Sequence, residues 1–399
     1  MVMKMSDKDK IGKATLAPAI GEQLRHCWTK GLEYNGFDLK WWTDKSHFKH
    51  DISLQSVYYA KEGKYKDITT PYKEQVGMGK DHTLIFDSAG FQIASFQRMG
   101  KECNIKPIDS LRWQEESADI GVNLDWPPTL YGLPSSKQFD DSLSKSVDNF
   151  KFFEKNRQNY DMKLLNILHG ENLPFINKWY NSVKDFDFDG WAIGMKPPFN
   201  PMLQAFAFMF LYDKGEFDNK DKCKWIHFFG TSGKNVVPTL NYLADKIKIP
   251  VSYDSSSYNI GSIYRTYYLP YDNGPSLSFG DKFRENPNIE SLPCSCPVCK
   301  SITDISVLNG TDIYAGSLIS LHNMYQYHQY NNTVQSLVKD KSKFINYLKS
   351  VNIKQDTLMS FDFIDYCLEH GFEAGYEKYK PYMMSNEIRT REQKTVFNF

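Results

Sequence analysis

The chain has no excess of charge of either sign: 48 Lys and Arg stand against 48 Asp and Glu, for a formal net charge of zero. A polyanion is therefore not drawn in by the field of the whole molecule, and any grip on nucleic acid must use a local patch. Long apolar runs are also missing. No stretch approaches the roughly 18 apolar residues of a membrane span, and the lysine-rich opening, residues 1–13, has no apolar signal-peptide core, so the expectation is a cytoplasmic protein with no membrane partner. Cysteine is scarce: Cys27, Cys103, Cys223 and Cys367 are scattered, and only Cys294, Cys296 and Cys299 crowd together. This distribution argues against a disulfide framework and for a reducing compartment with one metal site. Repeats and long low-complexity segments are absent as well. What is present is core material, 41% hydrophobic residues with 27 Phe, 25 Tyr and 8 Trp, which excludes disorder for most of the chain.

From about residue 84 short apolar runs alternate with longer amphipathic stretches, the rhythm of βαβ units. The runs are 84–86, 120–124, 164–168, 191–193, 225–229 and 250–253, and helical patterns cover roughly 138–158, 172–184, 201–212 and 235–248. Each run ends on a polar residue or glycine: Asp87, Asp125, His169, Gly194, Gly230 and Asp254. In a (β/α)8 barrel all strand C-termini open on one face and would bring these six ends to one pocket, whereas an open doubly wound sheet would unite only those at its switch point. The expected fold is therefore an α/β (β/α)8 TIM barrel. Residues 1–80 would supply the barrel start and a lid, 81–290 the catalytic barrel core, 291–330 a zinc-binding insertion near the C-terminus, and 331–399 a helical region. Further helical patterns lie at about 317–330, 333–350 and 357–371.

Cys294-Ser-Cys296-Pro-Val-Cys299 places three thiols in one short knuckle, with His322 23 residues beyond. Three Cys and one His make the closed tetrahedral shell of structural zinc, with no open position for an activated water. His328, six residues later, is an alternative fourth ligand. Asp87, followed by Ser88-Ala89-Gly90-Phe91-Gln92, is a carboxylate at a strand end next to small residues that admit a ligand; alone, it could equally be a helix N-cap. Asp254 before three serines is similar. Two aspartates on one barrel face can divide the work at an anomeric carbon, one attacking and one handling protons. Asp125, before Trp126 and two prolines, could accept the paired N–H donors of a guanine-like edge, or could simply initiate a turn.

In their order along the chain these segments resemble the tRNA-guanine transglycosylase family, the queuine and archaeosine tRNA-ribosyltransferases, which are zinc-containing (β/α)8 barrels. The family's Asp-Ser-Gly-Gly-Phe-Gln resembles Asp87–Gln92 with Ala89 in place of a glycine, and its Gln-Gly becomes His169-Gly170. Its Gly-Tyr-Ala-Val-Gly resembles Gly190–Gly194, its His-Tyr-Leu-Met-Gly-Val-Gly-Lys resembles His227–Lys234, and its Phe-Asp resembles Tyr253-Asp254. The Cys-x-Cys-x-x-Cys with a distant Leu-x-x-His-Asn-like helix matches Cys294–Cys299 and Leu318–Asn323. The resemblance covers roughly residues 80–330. It implies Asp254 as nucleophile, Asp87 as proton relay, a base pocket of Ser88, Phe91, Gln92, Asp125, His169, Gly194 and Gly230, and zinc on Cys294, Cys296, Cys299 and His322.

The departures bear on the polymer. Where the family carries a basic segment after the nucleophile, this chain has Ser255-Ser-Ser-Tyr-Asn-Ile-Gly-Ser, with Arg265 the nearest arginine; the glycine-rich base loop is altered to Met195-Lys196-Pro197-Pro198. These changes favour a divergent branch that exchanges guanine in DNA for a 7-deazaguanine such as preQ0, with a homodimer or helper proteins of a DNA-modification system as further partners. A tRNA substrate is the alternative, a non-catalytic nucleic-acid-binding barrel the rival from another class, and a glycoside hydrolase a third reading that leaves the zinc knuckle without a role. Lysines at 339, 341, 343, 349 and 354 could line a groove for the nucleic acid or merely coat a solvated helix.

Overall fold

The protein was studied as a computed structural model, which describes residues 10–21, 31–62, 70–128, 134–194, 200–219, 223–231, 233–270, 276–280 and 287–392. Eight strands make one parallel sheet: β1 (Ala14–Pro18), β2 (Ile52–Ser56), β3 (Thr83–Asp87), β4 (Ile120–Val122), β5 (Lys163–Leu168), β6 (Gly190–Ile193), β7 (Trp225–Phe228) and β8 (Val251–Ser255). From β2 onward each strand pairs with the next in chain order, and β8 pairs with β1 from Ala14↔Val251 to Pro18↔Ser255. The ring closes between β1 and β2, where Ala19 bridges Leu54 and the Ile20 N–H donates to the Leu54 carbonyl at 2.9 Å. The chain is a (β/α)8 barrel. Six strands match the expected runs to within two residues at either end, the 120–124 run being strand only to Val122; the two opening strands come from residues 1–80, where no apolar run is marked.

Helices follow β3 to β7 in the crossover positions. They are α1 (Gly90–Arg98) and α2 (Pro107–Ser117) after β3, then α3 (Ser136–Asn156), α4 (Leu173–Val183), α5 (Pro201–Asp213) and α6 (Val237–Ile247). Their starts are fixed by local chemistry. Ser135 Oγ accepts from the Gln138 N–H, Asn172 and Asn200 cap α4 and α5 through their side-chain oxygens, and proline occupies the first turn of α4, α5 and α6. The apolar helix α5 is buried from Pro201 to Leu211, more than an outer barrel helix normally hides, and its outer face needs a cover. The C-terminal region supplies it. After α7 (Ile313–Leu337) and α8 (Lys341–Ser350), α9 (Gln355–His370) and α10 (Phe372–Glu392) pack on the barrel; Phe372 lies 5.6 Å from Phe206 and 5.7 Å from Phe210, and Phe361 lies 4.7 Å from Tyr242.

The two patterns at 317–330 and 333–350 are not separated where expected, because α7 runs unbroken through Asn331 and Asn332. The Asn331 amide is used in tertiary bonds, donating to the Ala14 carbonyl at 3.0 Å and accepting from Asn241 at 2.9 Å, so it does not compete with the helix backbone. Residues near the cysteine knuckle share a core with the N-terminal segment. Trp41, Trp42, Tyr72, Cys296, Val298 and Cys299 are all buried there, and Asn35 and His47 bond the Ser301 carbonyl and hydroxyl. No helix among the described residues is long and apolar enough to cross a membrane.

Candidate active site and metal centre

Asp87 ends β3, Asp254 lies in β8, His169 and Gly194 directly follow β5 and β6, Gly230 lies two residues beyond β7, and Asp125 three beyond β4. All sit at the C-terminal mouth of the barrel. His169 Nε2 lies 2.7 Å from Asp125 Oδ2, and since a carboxylate only accepts, the imidazole donates through Nε2. Trp179 backs this ring edge-on at 4.6 Å, held in turn by its N–H bond to the Ile167 carbonyl. Two glycines make room for the pair. A Cβ at Gly90 would sit 2.4 Å from the Asp125 carbonyl oxygen, and one at Gly194 would sit 2.7 Å from His169 Cε1.

Asp254 is held from the neighbouring strand end: its Oδ1 accepts the Gly230 N–H at 2.6 Å, and its carbonyl accepts the Thr231 N–H at 3.0 Å. Gly230 adopts φ +60°, a conformation that suits glycine and aims this N–H at the carboxylate. Asp87 has its carboxyl buried among like charges. Burial, then the charges of Asp125 and Asp254, push its carboxyl up to about 7, against the opposing pull of the Ser56 hydroxyl and the Ala89 N–H. Asp87 is thus poised near neutrality beside a second carboxylate, the condition for splitting acid and nucleophile roles.

Ala89, where the family motif has glycine, keeps a left-handed backbone at φ +72° and forms the N-cap of α1. The turn has therefore survived the loss of the residue that suits it best. Ser88 is fully buried with its Oγ unbonded among the described residues, as are Gln92 Oε1 and Asn123 Oδ1, an unusual density of unsatisfied polar atoms for a protein interior. Phe91 is 44% exposed at the start of α1. The altered loop Met195–Pro198 lies outside the described residues. Sequence reading did not single out Ser56, which is the register partner of Asp87 but lies on β2 in the unassigned N-terminal region, or Asn123.

The second constellation is the knuckle. One ligand atom each from Cys294, Cys296, Cys299 and His322 lies within 4.8 Å of the others, a spacing suited to a four-coordinate ion, for which 2.3 Å metal–sulfur bonds put sulfurs about 3.8 Å apart. His322 Nε2 donates to the Tyr268 carbonyl at 2.7 Å, so Nδ1 presents its lone pair toward Cys299 Sγ at 3.2 Å and Cys296 Sγ at 3.4 Å. Tyr267 stacks on the imidazole at 3.7 Å and its hydroxyl lies 3.1 Å from Cys299 Sγ. The donor set therefore fits a metal ion. His328 instead packs on His50 at 4.8 Å, away from the thiols. Asn323, next to His322, donates to the Thr266 carbonyl at 2.8 Å and accepts from the Tyr268 N–H at 2.8 Å, tying the segment after Asp254 to the metal-bearing helix.

No protein-family model matches the chain. Curated relatives do: the tRNA-guanine(15) transglycosylase of Methanococcus aeolicus is 23% identical over 66% of this chain, and that of Methanocaldococcus jannaschii 22% over 66%. The Sulfolobus acidocaldarius protein of the same name is 22% identical over 88% of this chain and 66% of its own length. The resemblance is to the tRNA-guanine transglycosylase family. The chain spans about two-fifths of the length of the two methanogen transglycosylases, 38% of each. All three relatives are named for tRNA.

Proposed function

We propose that this chain is a guanine transglycosylase that exchanges a base at C1′ of a nucleotide in a nucleic acid. The observation that carries this reading is the pairing, at one barrel mouth, of Asp254 with a second carboxyl, Asp87, pushed up to about 7. Asp254 attacks C1′ as the C1′–N9 bond breaks, and the electron pair of that bond leaves with guanine. Asp87 delivers the proton guanine takes up. The entering base, a 7-deazaguanine such as preQ0, returns a proton to Asp87 and displaces the Asp254 ester, so one glycosidic bond replaces another and no energy donor is consumed. Asp125, oriented by His169, accepts the N–H donors of the purine edge, with Ser88 and Gln92 close by, Phe91 against the ring, and Gly194 and Gly230 leaving the backbone open to it. Zinc is the metal that best suits three thiolates and an imidazole; it would staple the fold and take no part in the exchange.

For the polymer, the relatives' names support tRNA. DNA is kept as a second reading on one observation: the short helix Ser257–Ile263 after Asp254 exposes Ile260 and Ile263, followed by exposed Tyr264. An apolar face there suits a wedge beside an unstacked base more than a phosphate grip. The lysine groove has less support, since Lys341 pairs with Asp365 at 2.7 Å and Lys343 with Asp340 at 3.2 Å. Incubation with radiolabelled guanine and either tRNA or duplex DNA tests both readings. Label entering one polymer names the substrate, and label entering neither, with no covalent adduct trapped, rejects the transglycosylase. Asp254→Asn is expected to abolish the adduct; an adduct that persists, or maps to Asp87, reverses the two roles.

A further inference from the structure

His227 on β7 has none of its surface exposed. It lies between two inward-facing residues of β8, with Nδ1 2.8 Å from Ser252 Oγ and Nε2 3.4 Å from Asp254 Oδ1. Phe229 closes the ring edge-on at 4.7 Å. Beneath it, Trp225 Nε1 donates to the same Ser252 Oγ at 2.7 Å.

These contacts assign the proton. An indole N–H is only a donor, so Ser252 Oγ accepts from Trp225; the hydroxyl's own hydrogen has no acceptor among the described residues other than His227 Nδ1, and Nε2 faces a carboxylate oxygen, which takes a donor. Nδ1 is then the acceptor, and the ring carries its proton on Nε2, facing Asp254. Nε2 makes no hydrogen bond of ordinary length, and a buried donor left in this state is costly. The long contact to Oδ1 is the kind that tightens when the neighbouring group is loaded with substrate.

We infer that His227 is the positioning residue of the nucleophile: its Nε2–H and the Gly230 N–H together engage Oδ1 of Asp254, leaving Oδ2 to form the bond to C1′. The column Trp225, Ser252, His227 fixes the tautomer that makes this so. The inference rests on the transglycosylase reading and adds a residue to it. His227 does not touch the sugar or either base; it acts through Asp254.

Two substitutions separate positioning from mere packing. His227→Asn puts an amide where Nδ1 was and keeps the Ser252 bond but not the contact to Asp254, whereas His227→Gln reaches to the place of Nε2. Single-turnover formation of the trapped adduct is measured on the full chain with guanine-containing tRNA and DNA, together with KM. The expected result is adduct formation slowed about 10–100-fold in His227→Asn, the range typical of groups that orient a reacting ligand, with KM unchanged and the rate largely restored in His227→Gln. Adduct formation at the wild-type rate in His227→Asn, or equal losses in both variants, overturns the proposal. A wild-type protein that forms no adduct rejects the transglycosylase reading and this role together. As a readout independent of activity, 15N spectra of the imidazole should show a protonated Nε2 whose resonance moves in Asp254→Asn; a protonated Nδ1 refutes the assignment.

Discussion

Replacing Asp87 by Asn should stop base exchange and at the same time stabilise the fold at alkaline pH. The carboxyl is raised from 3.8 to about 7 by burial and by the charges of Asp125 and Asp254, so between those values the folded state binds more protons than the unfolded state. Stability then falls as pH rises from about 4 to 7 and levels off above. A shift of roughly three units corresponds to about 4 kcal/mol at full expression, and the partial access of water at the mouth reduces the expected gain at pH 8 to about 1–4 kcal/mol. For a chain of 399 residues, with an unfolding entropy near 2.1 cal/mol/K per residue, that is a rise in Tm of about 1–5 °C. Near pH 4 the wild-type carboxyl is neutral and the two proteins should melt together. Thermal and urea melts of both proteins at pH 4 and pH 8 make the comparison, the first close to the unfolded carboxyl's value and the second about a unit above the folded one. Curves that run parallel across this range would refute the reasoning and remove the basis for Asp87 as the acid.

Ala89→Gly relieves a left-handed backbone on a residue with a side chain and should raise stability by about 0.5–1 kcal/mol, read as a shift in the urea midpoint. Gly90→Ala forces a methyl to 2.4 Å from the Asp125 carbonyl, backbone that cannot swing away, and should cost about 2 kcal/mol or more, with loss of base binding in calorimetry. Gly194→Ala presses instead on the His169 ring, so the melt should change little while the KM for free guanine rises; an unchanged KM would separate His169 from the base. Metal analysis should give about one zinc per chain, and Cys296→Ser should lose both metal and soluble expression; a variant that folds without metal and keeps activity contradicts the structural role.

Much of the site was legible because apolar runs end abruptly on polar residues in a parallel barrel, as at Phe86-Asp87 and Leu168-His169. The opening strands were not. In β2 every second residue is polar and buried by a specific bond, Ser53 accepting from Trp41 and Gln55 donating to Tyr72, so no apolar run marks it. His227 was hidden for the same reason, a polar residue within an otherwise apolar strand whose partners lie one strand away. The choice between His322 and His328 needed the helix itself: six residues at about 100° each turn the second imidazole some 240° from the first. The pressure on Asp87 from two further carboxylates is a property of the closed ring, since the three come from different strands.

The amides around Ala14 have a consequence for how the chain is made. Ala14 begins β1, yet its N–H is bonded to Asn241, and its carbonyl to Asn331 and Gln335. A ribosome delivers the first strand long before those partners, and β8, its sheet neighbour, also arrives late. Until β8 emerges, β1 is a strand with one open edge, able to pair with whatever else presents one, and until α7 follows, the Ala14 carbonyl lacks its amide partners. Assembly of this barrel is therefore gated by its last third, and chains released before residue 335 are expected to be captured by chaperones or to aggregate.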